Sequence, residues 1–286
     1  MTNTWLILDT NYLCHRARYS MGDLSYQGSP TGVIYGVINT VLLLQKQFNT
    51  NKLLFCFDSK YSKRQKIYPQ YKANRTNRKP MSDEEKEFEK QFHQQIVKLR
   101  RDYLPTIGYR NIFQQKGYES DDIIARLVRQ LRDDDIIIIT ADQDMFQCIR
   151  SNVRIFNPHK KQMMTRHTFI RMYGIDPSLW GKVKSIAGCS TDNVKGIPGI
   201  GEKTAIAYLQ GRMNTATKTY QKIRQWKLDV RMSSKRSLIA SMVMLPFPGT
   251  KRCVLKKDRI SITGWNTVCR QLGFKSLVDK RGRRER

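Results

Sequence analysis

The chain of 286 residues carries 52 Lys and Arg against 24 Asp and Glu, a formal charge of +28, and is 40% apolar, enough for one large or two ordinary domains. It has no apolar run of membrane-spanning length, no signal core and no CxxC pair among its six cysteines, which excludes a membrane span, a zinc knuckle and a disulfide framework and favours a soluble cytoplasmic protein. A basic excess of this size without a membrane segment points to a nucleic-acid partner.

In chain order, residues 5–8 (WLIL) predict a short buried strand that ends at Asp9. A Gly/Ser/Pro loop over 28–32 leads into a helix over 33–48, and residues 53–57 (LLFCF) predict a second strand ending at Asp58. Residues 59–79 are then dense in Lys and Arg, with Tyr61, Tyr68 and Tyr71 interleaved and no acid, a composition suited to a phosphate backbone with bases stacked beside it. Ser82 and Glu85 form a capping box that opens a helix running to about residue 100, so the basic run is expected as a partly helical excursion above the strand ends.

Residues 117–144 concentrate acid where the rest is base. Ile123, Ile124, Leu127, Val128 and Leu131 recur at helical spacing, which puts Glu119, Asp121 and Asp122 in a first helical turn, where the helix dipole favours negative charge. Residues 136–139 (IIII) predict a parallel strand covered on both faces, with Asp142 and Asp144 just past its carboxyl end. Three predicted strands thus deliver Asp9, Asp58 and Asp142 to one edge beside the helix start at Glu119, a crowding that requires cations. A strand over 153–156 and a helix led by Thr165 close this part, with a boundary near 174–177. A helix through Trp180 and Ile186 enters the turn GIPGIG (Gly196 to Gly201), whose glycines allow close approach to backbone N–H groups. The helix start near Glu202, Lys203 and Thr204 completes a site suited to a DNA phosphate. Helical segments over 218–227 and 234–244, a PFPG linker and a basic tail, KRGRRER, follow.

The pieces LILDTNYL, TGVIYGV, FDSKYSKRQKIYPQYKANR, GYESDDIIA, ITADQDMFQ and TDNVKGIPGIGEKTA, in this order over residues 5 to about 210, resemble the 5′-nuclease family. That family comprises the 5′-to-3′ exonuclease domain of bacterial DNA polymerase I and the stand-alone bacteriophage 5′ nucleases and flap endonucleases. The resemblance implies an α/β fold with a PIN-like parallel sheet flanked by helices in a nuclease domain over 1–175, with a helical arch over about 59–92. A helical DNA-binding domain over 176–286 would carry a glycine-rich helix-hairpin-helix motif at 193–205. It implies that Asp9, Asp58, Glu119, Asp121 and Asp122 hold one divalent ion and that Asp142, Asp144 and Asp192 contribute to a second. Oxygen ligands suit Mg²⁺ or Mn²⁺, and K⁺ is a further candidate at the hairpin. Lys72, Arg75 and Arg64 would neutralise the scissile phosphate, Tyr71 would stack on a base, and Gly196, Gly199, Gly201, Lys203 and Thr204 would grip the duplex. The implied activity is hydrolysis near DNA 5′ ends by a stand-alone monomer acting on flap, nicked or 5′-ended duplex. RNA–DNA hybrid as main substrate and a non-catalytic DNA-structure binder are the alternatives. In one place the chain departs from the family pattern: Cys189 stands where a second-ion carboxylate is expected, and a thiol is a poor Mg²⁺ ligand.

Overall fold

Alternation along three apolar strands decides how the layers form. In the computed structural model, which describes residues 4–75, 81–232 and 241–278, these are β1 (Thr4–Asp9), β2 (Leu53–Phe57) and β4 (Asp135–Ile139). Successive strand side chains point to opposite faces. Leu6, Leu8, Phe55, Phe57, Ile137 and Ile139 therefore enter one buried core, whereas Ile7, Leu54, Cys56, Ile136 and Ile138 enter the other. Adding β3 (Ile112–Gln114), β5 (Val153–Asn157) and β6 (Gln162–Met164) gives a six-stranded sheet of order β3-β2-β1-β4-β5-β6, parallel except for β6. The protein is mixed α/β, with a mainly parallel central sheet flanked by helices.

The first core is covered by α1 (Thr10–Met21), α2 (Gly32–Phe48), α4 (Asp83–Lys98), which runs on through a π-helical turn into α5 (Leu104–Ile107), and α11 (Ile262–Gln271). The second is covered by α6 (Ser120–Gln130), α7 (Arg166–Tyr173), α8 (Trp180–Ala187), α9 (Glu202–Leu209) and α10 (Lys218–Met232). The segment expected as an arch is entered through a short helix, α3 (Lys63–Ile67). Its residues 76–80, most of the helix expected over 234–244, and the basic tail lie outside the described residues.

The expected division near residue 175 does not separate two cores. Trp180, Ile186, Ile223 and Cys253 complete the cluster begun by Ile7 and Leu54, while Trp265, Val268 and Phe274 complete the one begun by Leu6. Each sheet face is a broad apolar surface that residues before 175 cover only in part, and the remainder of the chain supplies the rest.

Candidate metal centre

Parallel pairing of β1 with both β2 and β4 puts the carboxyl ends of all three strands at one edge, and the acids collect there. Asp9 ends β1 and caps α1, accepting from the backbone N of Tyr12 at 3.2 Å, from Ser120 Oγ at 3.2 Å and from Thr140 Oγ1 at 3.0 Å. Asp58 accepts the backbone N–H of Ser120, the first residue of α6, at 2.7 Å. Ser120 therefore links both strand-end carboxylates to the helix start, a role that only its place between Glu119 and Asp121 could have signalled.

The cost of this crowding falls on the acids. Burial, then the charges of Asp58 and Asp142, push Asp9 up to about 7. Burial raises Asp58, and burial with the charges of Asp142 and Asp9 raises Asp121 well above the usual carboxylate range. Asp121 Oδ1 is buried with no hydrogen-bond partner among the described residues. A buried carboxylate oxygen left unpaired among other carboxylates is costly unless a cation meets it, and an all-oxygen donor set suits a hard divalent ion. Asp9, Asp58 and Asp121 thus offer the donor chemistry such an ion takes, although among the described residues only Asp144, Cys189 and Asp192 bring their ligand atoms within 4.8 Å of one another.

Beside this group lies a second one. Asp142 caps the turn after β4 by accepting from Asp144 N at 2.7 Å, and the ligand atoms of Asp144, Cys189 and Asp192 lie within 4.8 Å of one another. The Cys189 thiol donates to Asp144 Oδ2 at 3.6 Å and lies 3.1 Å from Thr191 Oγ1. Lys184, which the sequence reading passed over, sits between Asp144 (3.3 Å) and Glu202 (2.8 Å). Its signal was weak, one basic residue on the otherwise apolar face of α8.

Residues 71–75, the foot of the expected arch, lie down on these acids rather than rising above them. Lys72 Nζ donates to Glu119 Oε1 at 2.8 Å and stands 3.7 Å from Asp192 Oδ1, and Arg75 reaches Asp192 Oδ1 at 2.9 Å. Burial works against the charge of Lys72, but Glu119 and Asp192 raise it on balance; burial likewise opposes the charge of Glu119, and Lys72 and Arg64 lower it. Two further hydrogen bonds fix this placement: the backbone N of Lys72 donates to Asp192 O at 2.9 Å, and the side-chain Nδ2 of Asn193 to Gln70 O at 2.8 Å.

Four expected roles change. Tyr71 is 2% exposed, and its hydroxyl donates to Glu119 Oε2 (2.8 Å) or Asp192 Oδ2 (3.2 Å), so it is packed against the acids and presents no face to a base. Arg64 is also buried, with its fork bonded to both oxygens of Asp122 at 2.6 and 2.7 Å. Those oxygens further accept from Phe247 N and Glu119 N, so Asp122 is committed to protein partners. Gly196 is a packing glycine, since a Cβ there would lie 2.2 Å from the Ala187 carbonyl carbon, whereas added Cβ atoms at Gly199 and Gly201 meet open space. The turn from α8 to α9 lines a cleft of about 640 Å³. Lys203 is exposed and Thr204 half-buried in the first turn of α9.

A family model described as "5'-3' exonuclease, N-terminal resolvase-like domain" matches residues 4–174. A 5'-3' exonuclease of Buchnera aphidicola is 30% identical over 72% of this chain and 69% of its own length, and one of Aquifex aeolicus is 30% identical over 81% and 80%. The DNA polymerase I of Caldicellulosiruptor bescii is 28% identical over 97% of this chain, which spans 33% of that protein. Among solved structures, the flap endonuclease D15 of bacteriophage T5, in a pseudo-enzyme–product complex with DNA and metal ions, superposes with a TM-score of 0.67 at 18% identity, covering 97% of this chain and 96% of that one. With the acids converging at the sheet edge of a matching fold, the chain belongs to the 5'-3' exonuclease family.

Proposed function

We propose that the protein is a divalent-ion-dependent 5′-to-3′ exonuclease and flap endonuclease that hydrolyses phosphodiester bonds near DNA 5′ ends. The observation that carries this is Asp121 Oδ1, unpartnered among the described residues and buried beside Asp9 and Asp142 at the carboxyl edge of the sheet. Asp9, Asp58, Asp121 and Glu119 would hold one Mg²⁺ or Mn²⁺, and Asp142, Asp144 and Asp192 a second, with K⁺ as the monovalent candidate at the hairpin. Such ions, when bound, would supply Lewis acidity to the phosphodiester and lower the pKa of an attacking water.

The chain's own residues supply the rest. Lys72, at the mouth of the acid group, meets a non-bridging phosphate oxygen and offsets charge that grows in the transition state. Arg75, half exposed on the same arch foot, draws the 5′ segment toward it. The turn about Gly199 and Gly201, where an added Cβ meets open space, and the start of α9 grip a duplex phosphate as a helix-hairpin-helix element, with Lys203 and Thr204 flanking it. This fixes the distance between grip and cut, which suits flap, nicked or 5′-ended duplex. The test is digestion of end-labelled flap and nicked DNA with Mg²⁺ and with EDTA. Asp142→Asn is expected to lower Mg²⁺-dependent cleavage by about a hundredfold or more while DNA binding persists. Near-parental cleavage by that variant would overturn the assignment.

A further inference from the structure

Arg64 and Asp122 have no place in the chemistry above, yet they form the most fully satisfied buried ion pair at the site. Besides its two bonds to Asp122, Arg64 donates from Nε to Met242 O at 3.0 Å and from Nη2 to Met244 O at 3.3 Å, and it lies 4.6 Å from the centre of the Phe247 ring. Asp122 in turn receives Phe247 N at 2.8 Å. Gln147, just past Asp144, donates to Val243 O at 2.8 Å and accepts from Leu245 N at 3.3 Å, and Tyr118 donates to Pro248 O at 3.2 Å. Residues 242–248 are therefore fastened, by backbone groups, to the arch foot, to the start of α6 and to the turn that carries Asp142 and Asp144. Met242, Val243 and Phe247 fill a wedge with Tyr71, Tyr118, Cys189 and Val194, so the same segment touches both the arch foot and the second ion group.

We propose that residues 242–248 act as a strap that positions the arch foot over the acids through Arg64, making Arg64 and Phe247 positioning residues for the reaction inferred above. A buried guanidinium forked on one carboxylate and two carbonyls defines an angle that a point charge cannot. Loosening it lets Tyr71 and Lys72 drift from Glu119 and Asp192, and a shift of the order of an ångström costs rate more than binding.

The proposal rests on the nuclease reading, and two measurements separate their failures. In single-turnover cleavage of a flap substrate, Arg64→Lys and Arg64→Gln are both expected to lose about tenfold or more in rate, while affinity for the same DNA in EDTA moves less than about threefold. Phe247→Ala is expected to behave likewise, with Phe247→Leu restoring most of the rate. Val268→Ala, in the buried face of α11 far along the chain from the site, is the control for general loss of stability, compared at equal drop in melting temperature. The second measurement needs no activity: brief trypsin treatment should cut after Lys72 or Arg75 faster in Arg64→Lys and Phe247→Ala than in the parent or in Val268→Ala. A fully active Arg64→Lys would show that charge alone suffices and would overturn the strap. So would Val268→Ala losing as much rate, or unchanged trypsin cutting in the Arg64 and Phe247 variants. A parent inert toward flap DNA whose variants still expose the arch foot would remove the nuclease reading and leave the strap standing.

Discussion

At the scale of single residues, the acids are buried, and repel one another besides, and the cost is measurable without DNA. Asp9 titrates near 7 in the folded chain and near 4 when unfolded, and Asp58 and Asp121 are raised in the same direction. The folded state therefore holds more protons between these values, so this contribution to stability is complete below about pH 4 and is lost as pH rises through about 7. At fixed ionic strength in EDTA, the melting temperature should fall by about 5 °C or more from pH 5 to pH 8, and Mg²⁺ should restore more of it at pH 8 than at pH 5. Asp121→Asn should raise the melting temperature in EDTA and shrink the Mg²⁺ response; an unchanged pH profile would remove Asp121 from the ion group. Cys189 gives a second test. Burial and then the Asp144 charge raise its thiol, which stays protonated beside Asp144. Cys189→Asp is expected to lower the Mg²⁺ concentration for half-maximal cleavage by about threefold or more, and Cys189→Ser to change it little. Legibility at this scale followed strand periodicity. The positions of Asp9, Asp58 and Asp142 could be read because a strand end fixes them. Arg64, Asp122 and Tyr71 were misread because their partners, Phe247 and Asp192 among them, lie some 50 to 185 positions away, and no local pattern signals such pairs.

At the scale of elements, the sequence marks the buried strands, α2, the capping box of α4 and the amphipathic α6, all of which repeat at their own period. It does not mark α1, whose residues are mixed in polarity and whose cap is Asp9 itself, or α11, which is shaped by packing on α5. The turn between α8 and α9 shows how glycines of one motif divide their work. Gly201 has φ −95°, a conformation open to any residue, and nothing lies within 4 Å of an added Cβ. Gly201→Val should therefore fold as the parent does yet weaken binding to duplex-containing DNA by about fivefold or more, with short single strands less affected. Gly196→Ala should lower the melting temperature by about 5 °C or more, because its Cβ strikes backbone. Equal loss of duplex and single-strand affinity in Gly201→Val would reduce the hairpin to a structural turn.

At the scale of the whole molecule, the charge of +28 and the acid cluster oppose each other in one body: the surface draws a polyanion in while the sheet edge repels it until cations intervene. Motif order alone suggested a nuclease part and a binding part, but burial joins them, and only the three-dimensional packing could reveal that. Removing residues 251–278 would strip Trp265, Val268, Phe274 and Leu277 from the first core. The shortened chain is expected to collect in the insoluble fraction, where a separable domain would remain dispersed and bind ions. The same arrangement sets a clock on synthesis. Every carboxylate of the proposed ion sites has been synthesised once residue 192 is added, but neither apolar face of the sheet can close until much later residues follow, the last of the described ones near 277. At about 5–20 residues per second the nascent sheet waits several seconds with both faces partly bare, so for this protein translation speed and chaperone supply bear on yield as directly as the stability of the finished fold.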